Sequence, residues 1–347
     1  MQSIDHYWYS RNAVSLIMLP LSWLFRLLVW LRRQAYFTGL RRSQKLPVPV
    51  IIIGNISVGG TGKTPLTIWL VNRLQQAGFR PGIVSRGYRG RARHWPQQVR
   101  ADSDPVMVGE EAILLAQRCQ CPVAVDPQRV VAAGALLKYN DCDVIVADDG
   151  LQHYALARDI EIVVIDGVRR FGNGRCLPAG PLREPVSRLQ GVDFIIVNSG
   201  VTLAREYRMN LRAVNIYRVN NPDQCAVVEN LRAGPVHAVA GIGNPQRFFE
   251  QLQGMGFDII KHAFPDHHEF TETELEFADE HAIIMTEKDA VKCRRFANDR
   301  CWTLAVEADV DPQLETHLLS RLKKWSGNVT ATNTQANPRD DNGQQTT

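Results

Sequence analysis

The sequence predicts an α/β fold: a parallel sheet with helices on both faces, a second, smaller α/β domain, and an N-terminal helix lying on a membrane surface. Three observations carry this. Short apolar, β-branched runs alternate with helical patterns from Val48 to Val197, and the alternation restarts at Val236. That is the pattern of parallel strands joined by crossover helices. A Gly-rich turn joins the first such strand to its helix. An apolar, Trp- and Arg-containing segment precedes them all.

Val14–Leu31 is strongly apolar but contains Pro20, Ser22 and Arg26, too interrupted for a clean membrane span. At helical spacing Arg11, Ser15, Ser22, Arg26 and Arg33 share one narrow stripe. The remaining face is apolar and wider than an ordinary surface helix shows. Trp23, Trp30 and Tyr36 suit the headgroup region, and the basic residues that follow suit anionic lipid. Pro20 kinks or divides the helix. The rivals are a signal peptide, which lacks its cleavage site here, and a helix buried against the core.

Val48–Ile53 reads as a buried strand and Pro65–Ala77 as a helix. Between them, Gly59-Gly60-Thr61-Gly62-Lys63-Thr64 forms a phosphate cradle. Glycines let backbone N–H groups point inward, Lys63 reaches the β- and γ-phosphates, and the Thr64 hydroxyl can hold Mg²⁺. The fold class is therefore that of a P-loop NTPase. Ser57 stands where the strict pattern has Gly.

Gly82–Ser85 is the next expected strand, followed by an Arg-rich loop to about Gly109. The helix Glu110–Cys119 opens with two acids. These are either ordinary first-turn acids or a general base. Strand Pro122–Asp126 and helix Gln128–Tyr139 follow, then strand Val144–Ala147, ending in Asp148-Asp149. Such acids beside a phosphate loop hold Mg²⁺. Gln152 and His153 follow in the turn and can face the same site. Strands Ile160–Ile165 and Asp193–Val197 flank a loop rich in Gly, Pro and Arg.

Residues 201–233 read as irregular. Strand Val236–Ala240, a helix from Pro245, strand Ile283–Thr286 and helix Asp289–Phe296 form the second domain. Asp266-His267-His268-Glu269 is either an exposed turn or an acid–imidazole pair serving a hydroxyl nucleophile. The expected units are 1–46 (membrane-associating helix), 47–204 (nucleotide-binding and catalytic), 205–325 (smaller α/β) and 326–347 (disordered tail).

A net charge of +4 does not imply nucleic acid, and the Arg clusters at 86–93 and 169–183 suit an anionic small molecule. Seven cysteines without a CxxC pair argue against a disulfide framework and for a reducing compartment.

Taken together, several motifs resemble the tetraacyldisaccharide 4′-kinase family. They are Val48-Pro49-Val50 before the Gly59–Pro65 loop, Ser85-Arg86-Gly87-Tyr88, Asp148-Asp149-Gly150-Leu151-Gln152-His153, and Leu177-Pro178-Ala179-Gly180-Pro181-Leu182-Arg183-Glu184. Ala240-Gly241-Ile242-Gly243, Asp266-His267 and Thr286-Glu287-Lys288-Asp289 complete the set. The resemblance implies transfer of the ATP γ-phosphate, with Mg²⁺, to the 4′-hydroxyl of a tetraacyl disaccharide 1-phosphate. It implies action at the cytoplasmic face of the bacterial inner membrane, peripherally or monotopically, with no obligate protein partner. It also implies Lys63 on the phosphates, Thr64 with Asp149 or Asp148 at Mg²⁺, and a base at Glu110 paired with His267. Glu110 stands where the family has Asp, and Glu111 is the rival base. Arg86, His153, Arg183 and Glu111 would line the substrate site. The alternative is a membrane-associated P-loop ATPase switch controlling a protein partner.

Overall fold

In a computed structural model, described for residues 7–10 and 12–335, twelve strands form one sheet. Chain order gives β1 (Val50–Gly54), β2 (Pro81–Ser85), β3 (Gln97–Val99), β4 (Val123–Val125), β5 (Val144–Ala147) and β6 (Ile160–Asp166). Then come β7 (Phe194–Asn198), β8 (Glu206–Arg218), β9 (Val236–Ala240), β10 (Ile259–Ala263), β11 (Ile283–Thr286) and β12 (Cys301–Val310). The spatial order is β10-β9-β11-β12-β8-β7-β6-β1-β5-β2-β4-β3.

Two parallel blocks make up this sheet. β8-β7-β6-β1-β5-β2-β4 are parallel throughout, with β3 antiparallel at the edge. β10-β9-β11-β12 form the second block. The seam between them is the antiparallel pair β8/β12. β1 and β5 are buried along their whole length, which explains their unbroken Val/Ile/Ala runs.

The 201–233 stretch needs correction, because residues 206–218 are a thirteen-residue strand. Only Met209 and Ile216 of that strand are fully buried, and a bulge in the pairing separates their registers. The period-two signal of a half-buried strand is therefore faint. The tail expected to be disordered from 326 is helical as far as Gln335, in the helix Pro312–Gln335. Residues 336–347 lie outside the described residues.

Met18 divides the N-terminal segment into the helices Ala13–Ile17 and Leu19–Phe37. Pro20 falls in the first turn of the second helix, where its missing N–H costs nothing. The serines of the polar stripe face the protein, while Arg26 is exposed. Ser15 and Ser22 are buried, and the Ser22 hydroxyl donates to the Cys176 carbonyl at 2.7 Å. Arg32 donates to the Gln152 carbonyl, while Arg11 lies outside the described residues. Leu21, Trp23, Leu24, Leu27, Leu28, Trp30 and Leu31 are exposed, so the helix is not buried by its apolar face. No helix among the described residues is long and apolar enough to cross a membrane.

Arg188 is a buried cation of the first block. Its guanidinium grips both Glu161 oxygens at 2.5 and 2.6 Å and lies 3.5 Å from Glu184. Removing Arg188 takes from Glu184 its ion-pair partner and leaves Glu161 with Arg158 alone, at a buried site where lost charge compensation is costly. Arg188→Ala is expected to cost about 3–5 kcal/mol in urea unfolding. An unchanged midpoint would contradict this.

Candidate functional site

The cradle forms where β1 runs out. Its loop leads into the helix Lys63–Gln76, whose N-cap is Gly62, with no side chain capping it. Gly62 has φ 94°, and a Cβ there would meet Asn198 Nδ2 at 2.4 Å, so only glycine fits. The first N–H groups of the helix keep their donors for an anion. Asn198 Nδ2 donates to the Thr61 carbonyl at 2.9 Å, and Arg169 to the Gly60 carbonyl at 2.6 Å. These bonds hold the loop open.

A cavity of about 730 Å³ adjoins it, lined by residues 59–65 with Arg86, Glu111, Asp149 and Arg183 from the first block. Gly243, Asp266, His267 and Lys288 line it from the second. Asp149 stands at the end of β5 with φ 47°, a left-handed conformation that side chains adopt where function demands it. Lys63 Nζ is 3.4 Å from its carboxylate and Arg183 Nη1 3.3 Å. Burial opposes its charge, but Lys63 and then Arg183 hold its pKa down at about 2.

Asp148 is buried beneath it and accepts a 3.0 Å hydrogen bond from Thr67. Burial, then Glu111 and Asp149, push its pKa up to about 6. The oxygen donors Thr64, Asp148 and Asp149 beside the cradle have the hard-oxygen chemistry that suits Mg²⁺.

Glu110 and His267 come from different blocks and meet. Gly109 has φ 88°, and a Cβ there would strike the Tyr88 carbonyl at 2.6 Å. Glycine thus turns the chain so that Glu110 begins the helix Glu110–Cys119. Its Oε1 hydrogen-bonds His267 Nδ1. His267 also sits at positive φ, 60°. Arg89 donates to its carbonyl at 2.8 Å, and the Tyr88 ring lies 5.1 Å away. Burial disfavours the Glu110 charge, yet the His267 hydrogen bond keeps its pKa below the usual glutamate value. The same bond raises that of His267. His267 lines both the main cavity and a second cleft of about 460 Å³, whereas Glu110 lines only the second. Glu111 is in ion contact with Lys288.

Three expected site residues, Glu110, Asp148 and His153, are not in the lining of the main cavity. The pKa of His153 falls to about 4 through burial and then the neighbouring Arg129 and Arg158. Asn198, Arg247 and Lys288 line the cavity without having been singled out as site residues from sequence. Arg247 grips Asn198 Oδ1 at 2.8 Å and Ser199 Oγ at 2.7 Å. The position of Asn198 at the carboxyl end of β7 was the available signal, since open α/β sheets bind ligands there.

An uncapped P-loop helix, a carboxylate-ended neighbouring strand and an acid–imidazole pair define a P-loop phosphotransferase. The family profile described as tetraacyldisaccharide-1-P 4′-kinase matches residues 14–323. The tetraacyldisaccharide 4′-kinase of Nitrosococcus oceani is 50% identical over 321 residues, 92% of this chain and 94% of that protein. That of Coxiella burnetii is 47% identical over 316 residues, 91% and 94% of the two chains. The crystal structure of "apo" form LpxK from Aquifex aeolicus in complex with ATP has a TM-score of 0.76 at 24% identity. It covers 89% of this chain and 99% of that one, and shows the shared fold. The chain belongs to the tetraacyldisaccharide-1-P 4′-kinase family. That membership carries a kinase rather than an ATPase switch.

The buried Asp148 makes stability depend on pH. The folded chain holds this proton up to about pH 6, the unfolded chain only to about 3.9. Its contribution is present below the unfolded pKa and lost as pH rises through the folded one. Relative to the unsubstituted chain without ligand, Asp148→Asn should gain on the order of 2–3 kcal/mol between about pH 4 and 7. Denaturant titration at the two pH values reads this. A difference that ignores pH would refute it.

Proposed function

We propose that this chain transfers the ATP γ-phosphate to the 4′-hydroxyl of a tetraacyl disaccharide 1-phosphate at the cytoplasmic face of the inner membrane. The observation that carries the reading is the Glu110–His267 pair at the boundary of the phosphate cavity. Phosphoryl transfer asks for positioning and charge neutralisation more than covalent chemistry. Lys63 and the loop N–H groups bind the β- and γ-phosphates, and on phosphate arrival Lys63 exchanges its Asp149 contact for them. Mg²⁺ held here would supply positive charge against that developing on the transferred phosphate. Thr64 with Asp149 and Asp148 would hold it.

Glu110, kept ionised by His267, takes the proton of the acceptor hydroxyl. The hydroxyl oxygen then bonds to the γ-phosphorus as the bond to ADP breaks. Arg183 and Arg86 neutralise phosphate charge, and Glu111 and Lys288 shape the acceptor side. The units 1–46, 47–204, 205–325 and 326–347 divide these tasks, with the first on lipid and the second and third contributing Glu110 and His267. The outward apolar face of Leu19–Phe37 supports membrane-surface docking, where the acyl chains stay in lipid and only the sugars enter.

Following phosphate onto the lipid acceptor tests the reading. ATP turnover indifferent to acceptor would overturn it. Lys63→Ala should abolish transfer with an unchanged circular dichroism spectrum. Glu110→Gln should lower kcat by about 10²–10⁴ with little change in KM. His267→Ala removes the bond that lowers the Glu110 pKa, so the acidic limb of the kcat/KM profile should move to higher pH. A stationary limb would assign the base elsewhere.

Replacing Trp23, Leu27 and Trp30 by Ser should weaken sedimentation with anionic vesicles by about tenfold or more. Activity on detergent-dispersed acceptor should survive. Undiminished sedimentation would rule out this docking face.

A further inference from the structure

We infer that His237, Asp279 and His281 form a binding site for one divalent ion of the Zn²⁺ class, separate from the phosphate cavity. His237 is the second residue of β9 and its side chain is almost wholly buried. Asp279 and His281 lie two residues apart in the segment leading into β11. That segment is tied to β9 because the His237 N–H donates to the Ala282 carbonyl at 2.8 Å.

The geometry fits a small coordination shell. His237 Nε2 lies 2.9 Å from Asp279 Oδ1, and His281 Nδ1 lies 3.3 Å from Asp279 Oδ2. One ligand atom from each residue lies within 4.8 Å of the others. With Zn–N and Zn–O bonds of about 2.0–2.2 Å, tetrahedral ligand atoms sit about 3.3–3.5 Å apart. Asp279 and His281 are 40% and 39% exposed, so small side-chain shifts close the shell and solvent can supply a fourth ligand.

Two independent features point to a cation. Among the described residues, the buried His281 Nδ1 has no hydrogen-bond partner although a carboxylate oxygen faces it. Two lone pairs converging on one space are relieved by an ion between them. His237 Nδ1, meanwhile, is 2.9 Å from His262 Nε2. With the proton on Nδ1, His262 accepts it, and the His237 Nε2 lone pair would turn to a metal in place of the hydrogen bond that Nε2 now makes with Asp279 Oδ1. Metal-bound histidines make this outer hydrogen bond, and it fixes their tautomer. Phe277 stacks on the His237 ring at 3.7 Å and 15°, holding its plane.

Two imidazoles and one carboxylate select Zn²⁺ over Mg²⁺ and Ca²⁺, so this site does not compete for the ion used at the phosphates. His237 and Gly241 are four residues apart on β9 and its end, about 13 Å. The ion would join the starts of β9 and β11, whose far ends carry Gly243 and Lys288 to the cavity wall. Its role would be to brace that wall.

The test uses the full chain, freed of metal by chelation and titrated with Zn²⁺ alone, without nucleotide. One equivalent should bind and raise the melting temperature. In a double variant, Asp279→Ala with His281→Ala, both at partly exposed positions, affinity should fall by at least about tenfold. As a second measurement that needs no variant, electron-spin-echo modulation of Cu²⁺-loaded wild-type chain should count two imidazoles. No stoichiometric Zn²⁺ binding, undiminished binding in the folded double variant, or a bound Cu²⁺ without imidazole would each overturn the proposal.

Discussion

Charge balance around Lys63 is the constraint to which the rest of the site answers. An uncapped helix N-terminus and the ammonium of Lys63, the first residue of that helix, concentrate positive potential. Without phosphate, that potential is met by Asp149, itself shared with Arg183. Asp148, one residue earlier, then finds too little positive charge left, and burial drives it toward its neutral form. The two adjacent acids thus sit on opposite sides of the usual aspartate range. Their environments, rather than their identity, assign one to the cavity surface and the other to the layer beneath.

The second block completes the cavity through backbone geometry as much as through side chains. A Cβ on Gly243 would lie 3.2 Å from the Gly60 nitrogen, so the loop after β9 approaches the cradle closely. The His267 N–H donates to the Gly241 carbonyl, which ties the acid–imidazole turn to that same loop. The phosphate cradle, by close backbone approach, and the His267 turn, by a hydrogen bond, both meet one short segment, Gly241–Gly243.

Much of this was legible in the chain. The P-loop, the paired aspartates and the parallel strands of the first block announce themselves, because full burial forces apolar runs and phosphate binding forces glycine. Glu110 and His267 were visible as residues but ambiguous as a pair, since 157 positions separate them and only tertiary structure brings them together. β8 was hidden because its side chains are mostly half-exposed. His153 sits in the turn after Asp149 but outside the lining of the main cavity, buried near Arg129 and Arg158. The inward direction of the N-terminal serines was equally hard to see. Small polar groups packed on a protein carbonyl look, in sequence, like ordinary solvent contacts.

The β8/β12 seam bears on how such a chain can be assembled. Arg218, the last residue of β8, pairs with Trp302, near the start of β12. Everything between them, β9 to β11 with their helices, is an excursion that leaves and re-enters the sheet at one rung of the ladder. This is the topology of an inserted module with adjacent termini. An excursion anchored in this way can be lengthened, shortened or exchanged without altering the register of the first block.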